Sequence, residues 1–419
     1  MLHAVANTVL DHSLLQVGVD ITAKPAWVKL ERILLQEHII WSQSTPSGDA
    51  IALDESTSLD DKFDNRESKP GWRVSASCAE DLTYVDLGFI WSHDITDGMG
   101  GKIVQEIILH HLNAAGDVQG LSDDGILLLP DAIPPPAPET VCKYTVTPMF
   151  MLGQFWKEYC PGLIHPYRQM MATWAPIIHS SRKTTSRSIF LDAGTLKLIL
   201  SQSRASKTTL TGVLHAMTLL SLASRIPAES APGFVAETAL DLRKLFKPLR
   251  NSPFDASGTI CNMVSSIEHR CNFRDVRDLR KRLSTDAEIT TLLWPIARQF
   301  RSEIAASLDM GNSNKVNGLM KYVSDWKDQM ENHAARQRTF SWSVSNLGVL
   351  KNEDAASWRV MKAEFRLSME TAGAAIHVDA VSVEDGGLSV MVNWQDGVVD
   401  DEIGNGLAGD IEKWLSNRK

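Results

Sequence analysis

Apolar and polar positions alternate along residues 71–79 (GWRVSASCA) and 83–92 (TYVDLGFIWS), and that period of two predicts a pair of strands. Just after Gly98 the period lengthens: Ile103, Val104, Ile107, Ile108 and Leu112 fall on one stripe, which predicts an amphipathic helix. Upstream, residues 2–12 predict a short helix and 13–19 a strand, while the polar, acidic stretch 45–70 predicts an exposed connection. Four prolines within five positions make residues 127–139 an extended connection, neither helix nor central strand. Helical segments follow at 148–160 and 162–173, and the polar run 180–188 is expected to cross between lobes.

The second half mixes the same patterns. A mostly apolar helix covers 207–225, and further helices are expected at 273–284, 294–307, 316–331 and 400–416. Strand-like runs lie at 233–242, 259–266, 339–345, 363–369, 374–384 and 387–395. Strands and helices mixed without strict βαβ alternation indicate an α/β (α+β) protein of two lobes with mixed sheets, divided as 1–184 and 185–419.

Composition narrows the function classes. The chain has 419 residues, with 43% hydrophobic and 22% charged positions, enough for two substantial cores. A formal net charge of −9 argues against nucleic acid as a partner and gives no reason to expect an anionic membrane surface. The five cysteines are odd in number and lack C-x-x-C spacing, which suits a reducing compartment. The first residues lack the basic and apolar run of a signal peptide, and no segment approaches the ~20 apolar residues that cross a bilayer. A cytoplasmic location is expected.

The strand 83–92 runs into His93-Asp94-Ile95-Thr96-Asp97-Gly98-Met99-Gly100-Gly101, immediately before the amphipathic helix. A strand that stops in a glycine-rich turn places polar side chains at a sheet edge that substrate can reach. Gly98, Gly100 and Gly101 are expected to permit unusual backbone angles there and let a ligand approach closely.

H-x-x-x-D-G after a strand resembles the signature of the chloramphenicol acetyltransferase-like superfamily. Further matches follow in order: TLTGVLHA at 209–216, Asp241-Leu242-Arg243, Gly258 to Asn262, and Ser345-Asn346-Leu347-Gly348. The close fits too, with Phe365, Asp385-Gly386-Gly387 and Trp394-Gln395 before a last helix. The pattern is most similar to fungal stand-alone trichothecene-type O-acetyltransferases, and is related to plant-type acyltransferases and peptide condensation domains. Three departures stand out. Ser92 occupies the place of a second histidine common in condensation domains, which favours acyl transfer over peptide-bond formation. The D-F-G-W-G motif of plant enzymes is absent, and the chain starts within what resembles the family's first helix, so the usual leading strand is expected to be missing.

The resemblance implies two lobes with a tunnel between them. It implies transfer of an acyl, foremost an acetyl, group from acyl-CoA as co-substrate to a hydroxyl or amine of a small molecule of secondary metabolism. His93 would be the general base, since imidazole titrates near working pH and can return the proton to the leaving thiol. Asp97 would be structural, turned from the base and paired with Arg243, while Gly98 forms the turn. Ser345 and Asn346 would face the tunnel, where a hydroxyl or amide can stabilise an oxyanion. No bound cofactor and no metal are expected, and a monomer is.

Other readings are weaker on the residues. His93, Asp94 and Asp97 offer ligand types for a divalent cation, but no further histidine at a fitting position is evident. G-x-S-x-G and nucleotide-binding glycine motifs are absent. A condensation- or cyclase-like pocket protein acting without acyl-CoA is the main alternative. His215 is expected in the core, the His110-His111 pair in solvent, and Trp91, Trp342 and Trp394 in core positions or along a cavity.

Overall fold

The computed structural model describes residues 1–21, 25–43, 62–78, 83–114, 116–131, 133–159, 166–179, 183–247, 254–283, 286–353 and 356–416. Most of the expected exposed connection at 45–70 lies outside these. Two compact units divide the chain: residues 1–142, 248–263 and 350–360 form one, and 143–247, 264–349 and 361–419 the other. This division does not follow the expected boundary after residue 184. Residues 143–184 group with the second unit, and two later segments return to the first.

In the first unit, α1 (Leu2–Asp11) buries Ala4, Val5 and Val9 and packs on α2 (Gly98–Asn113). Strands β1 (Val17–Asp20) and β2 (Ala26–Lys29) form an antiparallel ribbon, as do β3 (Arg32–Leu34) and β7 (Ile126–Leu128). Between them in sequence, β4 (Ile39–Gln43) runs parallel to β5 (Trp72–Cys78), which pairs antiparallel with β6 (Val85–Trp91). The alternating runs at 71–79 and 83–92 thus form strands, as they predict, and these strands pair with each other. Trp72, 1% exposed, anchors it by donating from its indole to the Leu15 carbonyl at 2.8 Å. On α2 the predicted stripe is narrower than its five members: Val104 and Ile108 are buried, together with Gly100, Gly101 and Leu109. The short α3 (Pro138–Val141) closes this part.

The second unit opens with α4 (Pro148–Tyr159) and is built on a six-stranded mixed sheet ordered β10-β9-β11-β12-β13-β8. Its strands are β8 (Thr184–Leu191), β9 (Phe234–Asp241), β10 (Val264–Cys271), β11 (Trp342–Leu350), β12 (Ile376–Val383) and β13 (Leu388–Gln395). One face is apolar: Ala236, Trp342, Val378, Val390 and Trp394 pack under α5 (Ala193–Ala205), α6 (Leu210–Arg225), α8 (Asp286–Asp309) and α10 (Asp401–Ser416). Two smaller helices complete the unit, α7 (Phe273–Arg280) and α9 (Trp326–Ala334). α6 is buried nearly all round, as its sequence predicts. Gly212 lets it approach α8, because a Cβ there would lie 2.6 Å from the Ala297 carbonyl oxygen.

Several elements differ from their sequence patterns for physical reasons. Residues 13–16 are a 3-10 turn, so β1 starts only at Val17. The polar run at 180–188 is not a simple crossover: β8 begins at Thr184 on the sheet edge, and the amphipathic α5 after it has no counterpart in the expected elements. The stretch 127–139 includes the end of β7 and the start of α3. Residues 259–263 stay outside β10 because Cys261 and Met263 give backbone groups to Thr96 and Asp97. Residues 363–369 alternate like a strand but are not one. The Leu367 and Met369 N–H groups donate to the Asp379 carboxyl and the Thr184 hydroxyl instead of a ladder. Residues 316–322 form a 3-10 segment separate from α9.

Candidate active site

β6 ends at Trp91, and the chain turns at once, with the Ile95 N–H donating to the Ser92 carbonyl at 3.0 Å. Ser92 donates from its backbone to Gly71 at 2.8 Å, so the turn starts from a fixed point on the hairpin. Ile95 is fully buried and pulls the turn inward, while His93 and Asp94 stay exposed. The Asn262 amide donates to the His93 carbonyl at 2.6 Å and to the Asp94 carbonyl at 3.3 Å. Asp94 pairs with Arg66 at 2.8 Å. The backbone of His93 is thus held, whereas its ring is exposed and takes no hydrogen bond among the described residues.

Asp97 is 3% exposed and caps α2: its Oδ1 accepts from the Gly100 N–H at 2.8 Å. Its Oδ2 accepts from the Met263 N–H, also at 2.8 Å. These bonds fix the turn to residues 261–263. Thr96 adds a third tie by donating to the Cys261 carbonyl at 3.2 Å, and the Trp91 indole donates to the Thr96 carbonyl at 2.9 Å.

The glycines do not adopt the unusual backbone angles expected of them. Gly98 is the first residue of α2, and Gly98, Gly100 and Gly101 all lack a positive φ. Crowding explains two of them: a Cβ on Gly100 would lie 1.7 Å from the Thr96 hydroxyl, and one on Gly101 2.3 Å from the Trp91 ring. They allow the helix to start directly under the strand end.

The other candidates belong to the second unit. Arg243 follows β9 in a 3-10 turn, where its N–H and guanidinium both donate to Asp241, at 3.0 and 3.3 Å. The aspartate of D-L-R therefore steadies its own arginine. Ser345 and Asn346 lie on β11. The Asn346 amide is engaged on both sides: it donates to the Thr211 hydroxyl at 3.2 Å and accepts from the Gly348 N–H at 2.9 Å. Gly348 takes φ +73, which glycine accommodates without strain. Ser345 is 8% exposed.

His215 is fully buried in α6, as expected, and joins a directed hydrogen-bond chain. The Trp342 indole can only donate, so His215 accepts at Nδ1, 2.9 Å away, and carries its proton on Nε2. It donates to Thr238 at 2.7 Å, Thr238 donates to His269 at 2.8 Å, and His269 donates to Glu303 at 2.5 Å. Burial, and then the neighbouring His269, hold His215 well below the usual imidazole range, so it stays neutral. Trp342 and Trp394 are core residues and Trp91 is partly buried under the turn. His110 and His111 pair with Glu353 and Asp11.

Asn262, Thr96 and Asp241 carry much of this geometry without being apparent from the motif itself. The Gly258–Asn262 match signals Asn262's location, but nothing in it indicates that the amide holds His93. Among the described residues no group of three or more His, Cys, Asp or Glu is placed to hold a metal ion, and no helix is long and apolar enough to cross a membrane.

The fold and the anchored H-x-x-x-D-G turn define a chloramphenicol acetyltransferase-like acyltransferase. The alcohol acetyltransferase family model matches residues 62–404, and the chain belongs to that family. It is similar to the probable alcohol acetyltransferase FCK4 of Fusarium pseudograminearum, with 24% identity over 98% of this chain and 84% of the relative. In structure it resembles the TRI3 trichothecene 15-O-acetyltransferase of Fusarium sporotrichioides, at a TM-score of 0.66 and 12% identity over 99% of this chain and 86% of that one. It also resembles the epimerization domain from the third module of tyrocidine synthetase B, at a TM-score of 0.53 and 15% identity over 99% and 87% of the two chains.

Proposed function

We propose that the protein transfers an acetyl group from acetyl-CoA to a hydroxyl of a small molecule of secondary metabolism, with His93 as general base. One observation carries this reading: the turn fixes the His93 backbone from several sides and leaves its ring exposed, with no hydrogen-bond partner among the described residues. The imidazole takes the alcohol proton as the oxygen attacks the thioester carbonyl. The tetrahedral intermediate then collapses, the carbon–sulfur bond breaks, and the imidazolium returns the proton to the thiolate, giving ester and free CoA. Ser345 is the better oxyanion donor of the β11 pair, because the Asn346 amide already holds Thr211 and Gly348.

The Asp97–Arg243 pair implied by the resemblance belongs to the same reading, adding a positive charge to a carboxylate that two backbone N–H groups already orient. Asp97→Asn and Arg243→Ala should each destabilise the protein, and the double variant should lose less than their sum. Simple additivity counts against the pair.

The activity is tested by free-thiol release from acetyl-CoA over a panel of alcohols. Release by the native protein and its loss in His93→Ala support the reading. A His93→Ala variant that keeps most of the rate would move the base elsewhere. No release with any alcohol would favour a pocket protein acting without acyl-CoA.

A further inference from the structure

α4 carries its apolar face outward. Along Pro148–Tyr159, Met149, Leu152 and Trp156 recur at the spacing of one helix face, with Met151 and Phe155 beside them. A helix packed on a core buries that face. Here Met149 is 78% exposed, and Met151, Leu152, Phe155 and Trp156 are exposed as well. The side turned toward the rest of the second unit carries Phe150, Gln154 and Lys157, all half-buried.

Polar contacts hold the helix in this orientation. Just before it starts, Thr147 donates to the Asn314 side-chain oxygen from its backbone N–H at 3.0 Å and from its hydroxyl at 3.1 Å. The Phe150 N–H donates back to the Thr147 hydroxyl at 3.3 Å. Toward the other end, the Lys157 ammonium donates to both carboxylate oxygens of Glu268, at 2.9 and 3.2 Å. The helix is therefore fixed with its polar side inward and its apolar side outward. Several large apolar side chains grouped on one exposed face are unfavourable in water, and such a patch marks an interaction site.

Charge identifies the occupant. The formal net charge of −9, which gives no reason to expect an anionic surface as partner, belongs to the whole chain. From residue 143 to 183 the sequence carries Lys143, Lys157, Arg168, Arg182 and Lys183 against the single acid Glu158. The Lys143 N–H donates to the Lys247 carbonyl at 3.0 Å, so the exposed Lys143, Lys244 and Lys247 gather beside the chain leading into α4. An apolar face flanked by lysines complements a surface that is apolar within and negatively charged outside. A helix of 12 residues is about 18 Å long, so it lies in such a surface and does not cross it. A convex helix face needs no matching groove there, whereas a second copy of this chain would bring the same lysines together. We propose that α4 docks the protein on an anionic lipid surface. Met149, Leu152 and Trp156 enter the boundary of the acyl chains, and Lys143, Lys244 and Lys247 meet the headgroups.

The test floats the full chain with vesicles of phosphatidylcholine alone and with vesicles containing roughly a quarter phosphatidylserine. Binding should appear with the anionic vesicles and fall by about tenfold or more in the double variant Leu152→Glu, Trp156→Glu. Lys143→Gln with Lys247→Gln should weaken binding by on the order of tenfold and flatten its salt dependence. Both variants should melt near the native temperature, because the altered side chains are exposed. If the Glu variant does not fold, Leu152→Ser with Trp156→Ser takes its place. The proposal is overturned by a native protein that stays with neither vesicle, by equal binding to both, or by binding that the α4 variants leave undiminished. A native dimer in sedimentation velocity that the Glu variant splits would assign the face to a second copy and overturn it too.

Discussion

His93 and His215 carry the same side chain into opposite surroundings. His93 ends an exposed turn whose backbone is fixed by Asn262 and whose flanks are fixed through Asp97 and Thr96, while its ring has no partner among the described residues. His215 is wholly buried, with both ring nitrogens occupied by Trp342 and Thr238. In the first case the protein orders the backbone, and among the described residues nothing engages the ring. In the second the ring is consumed by structure, and burial removes its ability to charge. The two histidines thus differ in what surrounds them, not in residue type.

The contrast is open to attack by a pair of substitutions. His93→Ala should lower acetyl transfer by ~10²–10⁴-fold while the melting temperature barely moves, because the ring holds nothing else in place. His215→Ala should do the reverse, removing about 3–5 kcal/mol of stability through a cavity and the stranded Trp342 and Thr238 groups. Its folded fraction should retain acetyl transfer. Denaturant midpoints alongside thiol-release rates check both, and a His215→Ala protein that is stable but inactive would dissolve the distinction.

A subtler test uses pH. Burial, and then the charge of Glu370, raise Glu237 to about 7, so the fold binds a proton there that the unfolded chain releases near its ordinary value of 4.5. The folded state binds more protons between those values, and this contribution is present at low pH and lost as pH rises through about 7. His215 has the opposite sign: its depressed value means that stability falls as pH drops below the ordinary imidazole value of 6.5. Glu237→Gln should flatten the decline between pH ~5 and 7, a change of about 3 kcal/mol at most, without altering the acid limb. Urea midpoints across that range measure it, and an unchanged slope would show Glu237 ionised in the fold. The smallest effect is expected from Asp94→Asn, beside His93 but paired with Arg66 at the surface: under ~1 kcal/mol, and little change in rate.

The hairpin β5–β6, the helix α2 and the buried α6 are legible in the sequence because their periodicities are strong and local. The location of His93 and Asp97 is legible for the same reason. What periodicity misses is any backbone group satisfied from far along the chain. Residues 259–263 look like strand and serve the turn instead, and 363–369 alternate correctly yet donate to Thr184 and Asp379. β8 hides in a polar run because its Ser186 and Ser188 face the polar side of the sheet. The glycines after Asp97 were legible as necessary, but the need arises from Thr96 and Trp91, which only packing reveals.

The tie between Asn262 and His93 also bears on how the protein is made. The two residues are 169 positions apart, and Cys261 and Met263 complete the same seat under Thr96 and Asp97. At a synthesis rate of roughly 5–20 residues per second, the ribosome has finished the motif on the order of ten seconds before it delivers the residues that secure it. Throughout that interval the nascent turn has its histidine but no seat, and the glycine-rich helix start must wait for a late-arriving segment. A translational pause before residues 261–263 emerge from the ribosome would lengthen that exposure. Synonymous codon choice over that stretch is therefore expected to act on folding yield alone, through a contact whose final geometry no codon change can alter.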